Sequence, residues 1–179
     1  YLMVKFIELL GNRSLAKLLV FFLSADDEYS QTEIMKKTKL SKVTSIKSLK
    51  ILEKNNIIAF RRIGIVKLYK IQKDNPIVKQ LKILQTLTKL SLLKDLNKNI
   101  KIYLYGSCAR GENTSRSDID LLIIGKIKKE EIINYIKNFS KKMKRDIKVE
   151  IFTQQEWAEI IKKDPAFYER VEKDKIEVY

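Results

Sequence analysis

The residues most able to do chemistry lie in one run, YLYGSCARGENTSRSDIDLLII, between residues 103 and 124. Asp118 and Asp120 stand on either side of Ile119 at the start of an apolar stretch, so on a strand both carboxylates would project from one face. Two close carboxylates repel each other, and a divalent cation relieves that repulsion. Oxygen ligands favour Mg²⁺, with Mn²⁺ as the usual substitute. The alternative is a pair of solvated residues at a loop edge.

The residues just before the two aspartates are suited to a phosphate. Gly106 allows a tight turn after the strand predicted at 100–106, and Ser107 offers a hydroxyl and a backbone N–H. A short helix starting near Cys108 would direct its N-terminus at an anion, and Arg110 could bind phosphate with two hydrogen bonds. The alternative for Arg110 is a structural salt bridge to Asp118 or Glu112.

Taken together, Gly-Ser, Arg-Gly and Ser-Asp-Ile-Asp resemble the signature of DNA polymerase β-type nucleotidyltransferases in their minimal form, over about residues 76–179. The matching positions are Gly106, Ser107, Arg110, Gly111, Ser117, Asp118 and Asp120. The resemblance implies an α/β domain with a mixed sheet flanked by helices. It also implies that Gly106, Ser107 and Arg110 bind the phosphates of the nucleotide.

The same resemblance implies a third carboxylate on a neighbouring strand. The stretch DIKVEIFT supplies Glu150, and Asp146 has the same strand parity but stands at the strand's start. Asp118, Asp120 and Glu150 would then be the catalytic residues and the ligands of two Mg²⁺ ions, with Mn²⁺ as a substitute. The alternative for Glu150 is a surface glutamate on an edge strand.

For function, the resemblance implies transfer of a nucleoside monophosphate, AMP from ATP, to an acceptor hydroxyl with release of pyrophosphate. Small members of this superfamily often act as antitoxins that transfer AMP to a partner toxin, and others modify antibiotics or nucleic acid ends. A protein acceptor is therefore the expected partner. A second hypothesis remains open. The chain would be a DNA-binding transcriptional regulator whose transferase-like domain only binds nucleotide.

The N-terminal half has a different pattern. Apolar residues recur at helical spacing from Leu15 to Phe22, Ser30 and Glu33 form a capping box, and Ser41 can begin a third helix. Two β-rich runs around Gly64 then predict a hairpin. Three helices and a hairpin resemble a winged helix-turn-helix domain over about residues 12–73. The residues predicted to contact DNA are Lys42, Thr44, Ser45, Lys47, Ser48, Lys50, Arg61 and Arg62, the last two at the hairpin tip. The alternative is a domain that binds protein, with these lysines on an ordinary solvated face.

The chain is therefore predicted to be an α+β protein with two domains. A winged helix-turn-helix domain would occupy residues 1–75 and a minimal nucleotidyltransferase domain residues 76–179. Asn75 and Pro76 predict the start of a bridging helix over 76–96. Because that helix carries two apolar stripes, we expect it to pack on two bodies, and a homodimer is a further expectation.

Composition narrows the function classes. The 179 residues contain no histidine, which excludes histidine acid–base catalysis, Ser-His triads and histidine zinc sites. The single cysteine excludes an internal disulfide framework and favours a cytoplasmic location. No apolar run is long enough to predict a membrane span. The net charge of +15 favours nucleic acid or nucleotide as partner, although a lysine-rich proteome would also produce it.

Overall fold

The computed structural model describes residues 12–93 and 99–178. Its contacts divide the chain into two units, Tyr1–Leu81 and Lys82–Tyr179. Both helices and sheets occur, so the predicted α+β fold class is confirmed. No helix in the described ranges combines the length and the apolar character that a bilayer span requires.

Between residues 12 and 71, the first unit consists of three helices and a small antiparallel sheet. In chain order its elements are α1 (Arg13–Leu23), β1 (Tyr29–Ser30), α2 (Gln31–Thr38), α3 (Lys42–Lys54), β2 (Ile58–Ile63) and β3 (Val66–Ile71). The sheet order is β1-β3-β2. Leu18, Phe22, Ile34 and Leu52 are fully buried in its core.

Local hydrogen bonds explain where these helices begin. Asn12 Oδ1 accepts from the backbone of Ser14, and Ser30 with Glu33 forms the predicted capping box at the start of α2. Ser41 caps α3 by accepting from the backbone N–H of Thr44. These side chains satisfy N–H groups that have no partner inside the helix.

The helix at the predicted domain junction is α4 (Pro76–Leu90), followed by a 3₁₀ turn at Ser91–Leu93. Asn75 Oδ1 accepts from Ile77 N at 2.8 Å, which is the predicted cap. Val78 is buried in the core of the first unit and Leu90 in that of the second, and the unit boundary falls inside this helix. The last three residues of the predicted bridging helix, 94–96, lie outside the described residues.

The second unit is a four-stranded sheet with helices on both faces. Its elements are β4 (Ile100–Tyr105), α5 (Gly106–Ala109), β5 (Ile119–Gly125), α6 (Lys129–Met143), β6 (Ile147–Phe152), α7 (Gln154–Lys163), α8 (Pro165–Asp174) and β7 (Ile176–Glu177). The strand order is β6-β5-β4-β7. Only the β5–β6 pair is parallel, so the sheet is mixed.

Two apolar layers hold the central strand β5 in place. Ile119, Leu121 and Ile123 are fully buried in a core that includes residues of α6. Leu122 faces the opposite way, into a second cluster with Trp157 and Val171 from α7 and α8. Because a one-residue slip would reverse every side chain, this packing fixes which face each residue of β5 occupies.

Candidate active site

Asp118 and Asp120 lie at the start of β5, where the sequence places them. Ile119, between them, is fully buried, and its backbone N–H donates to Asp146 O at 2.9 Å. Asp120 therefore shares the opposite face with Leu122, and its partner across the sheet in β4 is Tyr105. The two aspartates are half-buried, so their carboxylates stand at the border between the sheet and solvent.

Gly106 packs directly against one of these carboxylates. Its φ is +71°, and a Cβ at this position would lie 2.6 Å from Asp120 Oδ2. Only glycine combines this backbone conformation with room for the carboxylate. Ser107 follows in α5 and is half-buried. The turn and the acid therefore form one tightly packed unit.

The electrostatic environment of Asp120 is mixed. Burial raises the pKa of Asp120, the nearby Asp118 charge raises it further, and Lys148 and Arg170 act in the opposite direction. Burial also raises the pKa of Tyr105 to about 12, with additional contributions from Asp120 and Glu150. The Tyr105 hydroxyl thus stays protonated at neutral pH and can act as a hydrogen-bond donor near the carboxylates.

The predicted site of three carboxylates stays a prediction. Among residues 12–93 and 99–178, no three acidic or cysteine side chains come together in a group that could hold a metal ion. The parallel register of β5 and β6 pairs Asp120 with Lys148 and Leu122 with Glu150. Glu150 is exposed on the same face as Asp120, two residue pairs further along the sheet.

The position opposite Asp120 is taken by a cation. Lys148 Nζ lies 2.7 Å from Asp118 Oδ2. Its side chain is 70% exposed, whereas that of Asp118 is 31% exposed. Hydrogen bonding to Asp118 raises the pKa of Lys148. Sequence reasoning missed this residue, although Lys148 has the same strand parity as Asp146 and Glu150 and lies between them.

The residues present fit one divalent cation. Asp118 and Asp120 offer two carboxylates. Asp120 Oδ2 occupies the space that a Cβ at position 106 would need. Mg²⁺ is usually bound through one or two carboxylates together with substrate phosphates and water. The two-ion arrangement predicted from the sequence stays a prediction.

Arg110 is already engaged by acidic side chains. Its Nε donates to Glu112 Oε2 at 2.9 Å, and its Nη1 donates to Asp174 Oδ2 at 2.7 Å. These hydrogen bonds raise the pKa of the guanidinium. The salt bridge to Glu112 that the sequence allowed is therefore present, and phosphate binding by Arg110 stays a prediction.

A second arginine supports the loop that leads to Asp118. Arg145 Nε donates to Ser117 O at 2.7 Å, and its Nη2 approaches Cys108 Sγ at 3.3 Å and Thr114 O at 3.4 Å. Cys108 Sγ in turn lies 3.3 Å from Asp118 O. Burial raises the pKa of the Cys108 thiol, which fits a packing role for this residue. No local pattern in the sequence identified Arg145.

In the first unit the predicted DNA-contacting residues divide into two sets. Lys42, Lys47, Lys50 and Arg62 are exposed, and Arg61 is exposed but pairs with Glu28 at 2.7 Å. Both arginines lie within β2, and the turn of the hairpin is at Gly64 and Ile65, so their predicted place at the tip is wrong.

The serines on α3 also require a correction. Ser45 and Ser48 are buried, and Thr44 is half-buried and hydrogen-bonded to Ser41. The helix turns its small side chains inward against its neighbours and leaves Val43 63% exposed. Ser45 and Ser48 therefore cannot read DNA from these positions.

Comparisons with known proteins place the second unit in a family. The model of the family described as nucleotidyltransferase domain matches residues 88–178, just over half of the chain. No sequence among curated proteins matches.

Three solved structures match part of the chain. M. tuberculosis Rv0081 is 20% identical, with 53% of this chain and 92% of that chain covered and a TM-score of 0.42. The homodimeric winged helix-turn-helix DNA-binding domain of Mb0332 from Mycobacterium bovis is 17% identical, covering 53% and 85%, with a TM-score of 0.45. A candidate nucleotidyltransferase from Sulfolobus solfataricus is 23% identical, covering 57% and 84%, with a TM-score of 0.33.

All three TM-scores are below 0.5, and membership of a family follows from the family model alone. That model spans the Gly106 turn, Asp118, Asp120 and the strand β6. The chain belongs to the nucleotidyltransferase domain family.

Proposed function

We propose that this protein is a Mg²⁺-dependent nucleotidyltransferase that transfers AMP from ATP to a hydroxyl group of a partner protein. The observation that carries the proposal is the packing of Asp120 against Gly106 beside Asp118, within the region matched by the family model. This arrangement offers a cation two carboxylates next to a turn where phosphate can approach the backbone.

The reaction exchanges one phosphorus–oxygen bond for another. The acceptor oxygen forms a bond to the α-phosphorus, the bond from that phosphorus to the oxygen bridging to the β-phosphorus breaks, and pyrophosphate leaves. A divalent ion, when bound, would neutralise phosphate charge as the transition state forms. Asp118 and Asp120 would hold it, while Gly106, Ser107 and Arg110 orient the phosphates and Glu150 accepts the hydroxyl proton.

For the first unit we propose DNA binding through Lys42, Lys47, Lys50 and Arg62. These side chains are exposed and positively charged, and three of them lie on α3. Lysine contacts to phosphates would position the helix on the duplex. The role would be to deliver the transferase, or to place it under control, at a DNA site.

One observation favours a second candidate function. Asp118 is paired with Lys148, and no grouped third acid is present among the described residues. A protein with this site could bind nucleotide without transferring it, and would then act as a nucleotide-responsive DNA-binding regulator.

Label transfer separates the two functions. The protein is incubated with Mg²⁺, ATP labelled at the α-phosphate and the products of neighbouring genes. We expect Asp118→Asn and Asp120→Asn each to lower transfer by about a hundredfold or more, because each removes charge that holds the cation. Glu150→Gln tests the proposed proton acceptor, and Glu131→Gln, an exposed acid on α6, is the control.

Two outcomes would contradict the transferase. One is unchanged transfer in both aspartate variants. The other is binding of ATP with no labelled product under any condition, which would support the regulator.

A further inference from the structure

Lys148 forms an ion pair with the first of the two aspartates. Its ammonium lies 2.7 Å from Asp118 Oδ2, and its backbone pairs with Asp120 across the parallel β5–β6 ladder. Residues paired in this way point to the same face of a sheet. The lysine side chain therefore rises next to both carboxylates.

This placement makes Lys148 and a divalent ion competitors for Asp118. Two positive groups at one carboxylate repel each other, so an ion that binds Asp118 must separate the lysine from it. The competition is mild, because the lysine side chain is 70% exposed and exposed ion pairs are weak. The lysine can leave without disturbing a core.

A displaced Lys148 ammonium needs a new anionic partner, and the proposed nucleotide provides one. Lysine has a flexible four-carbon stem and three N–H donors, which suit it to phosphate oxygens. A nucleotide bound between Asp118 and the Gly106 turn would bring its phosphates within reach of the Lys148 side chain. The metal ion and the nucleotide would then each bind more tightly when the other is bound.

We propose that Lys148 is a tethered counter-ion that couples metal binding to nucleotide binding at the Asp118–Asp120 site. In the free protein it neutralises Asp118 and weakens metal binding. In the complex its side chain moves so that the ammonium pairs with the phosphates of the nucleotide. The inference rests on the proposed function, because it requires a metal–nucleotide site at these aspartates. Before the nucleotide binds, Lys148 affects the metal only through its ion pair with Asp118. It contacts the substrate only when the phosphates are bound.

The test measures Mn²⁺ binding to the full chain by electron paramagnetic resonance of free Mn²⁺, with and without α,β-methylene-ATP. In Lys148→Gln we expect Mn²⁺ alone to bind about three- to fivefold more tightly, since the competing charge is gone. We also expect the gain in Mn²⁺ affinity caused by the analogue to shrink by about tenfold or more. Lys148→Arg should keep the coupling of the natural protein.

The control is Lys163→Gln, which removes a lysine of similar exposure that pairs with Glu159 on α7. It should leave both Mn²⁺ affinities unchanged. A change of the same size in this control would overturn the proposal, because it would show a general effect of charge.

Two further results distinguish the inference from the proposed function. If Mn²⁺ binds the natural protein, is lost in Asp118→Asn, and binds Lys148→Gln with unchanged affinity and coupling, the counter-ion role is refuted and the transferase proposal stands. If no variant binds Mn²⁺ with or without the analogue, the metal–nucleotide site itself is refuted.

Discussion

At the residue scale, the site depends on how closely a turn approaches an acid. The Asp120 carboxylate occupies the space that any side chain at position 106 would need. The sequence predicts this pair well, since glycine at a strand end and aspartates two apart are local features. Lys148 was not predictable in the same way, because its position opposite Asp120 depends on the register between two strands.

Gly106→Ala tests this packing. We expect a loss of about 1–2 kcal/mol in the free energy of unfolding from the left-handed backbone, and a loss of label transfer because the new Cβ displaces the Asp120 carboxylate. Urea denaturation and the transfer assay measure the two effects separately.

The first unit provides a matched control for this variant. Gly64 also has a positive φ, of +57°, but a Cβ there would meet nothing within 4 Å. Gly64→Ala should show the backbone cost and keep full transfer. Equal activity in the two variants would show that the approach of Gly106 to Asp120 is not required.

At the element scale, helix starts were predictable and helix rotation was not. The capping box of Ser30 and Glu33 is formed by residues three apart, and the structure confirms it. The orientation of α3 follows from how tightly its small residues pack on other helices, which no local pattern contains. Val43 is exposed and Ser45 is buried for that reason.

The loop before β5 carries a second element-scale prediction. Arg145 joins the carbonyl oxygens of Thr114 and Ser117 to the Cys108 sulfur. Lysine cannot reproduce this planar fork of donors, so Arg145→Lys should lower the free energy of unfolding by about 1–3 kcal/mol and reduce label transfer. Chemical denaturation and the transfer assay provide the measurements.

Arg116→Lys is the comparison for this change, because Arg116 is exposed in the same loop. It should have little effect on either quantity. If both variants behave alike, the guanidinium of Arg145 does not hold the loop.

At the scale of the whole molecule, charge was the clearest signal. The chain carries a net charge of +15 and no histidine, so its charge changes little between pH 6 and 8. Attraction to a nucleic acid or to an acidic partner would then respond mainly to salt. Composition reveals this tendency, but it does not show which surface is used.

Salt dependence tests the surface on α3. Replacing Lys47 and Lys50 by Gln should lower the slope of log affinity against log salt by about two, because about 0.9 counterion is released per phosphate contact. Fluorescence anisotropy with a labelled mixed-sequence duplex measures the slope. The double variant Arg13→Gln and Lys17→Gln removes the same charge from exposed positions on α1 and should leave the slope nearer its original value. Equal slopes in the two double variants would argue against α3 as the contact.

The central strand of the second unit has one further consequence. β5 has a hydrogen-bonded neighbour on each side, and apolar residues cover both of its faces. Its amide hydrogens should therefore exchange with solvent only when the whole unit opens. Asp118 and Asp120, at the start of this strand, are consequently attached to a well-packed part of the unit, so we expect adaptation to different acceptors to come from the groups around them.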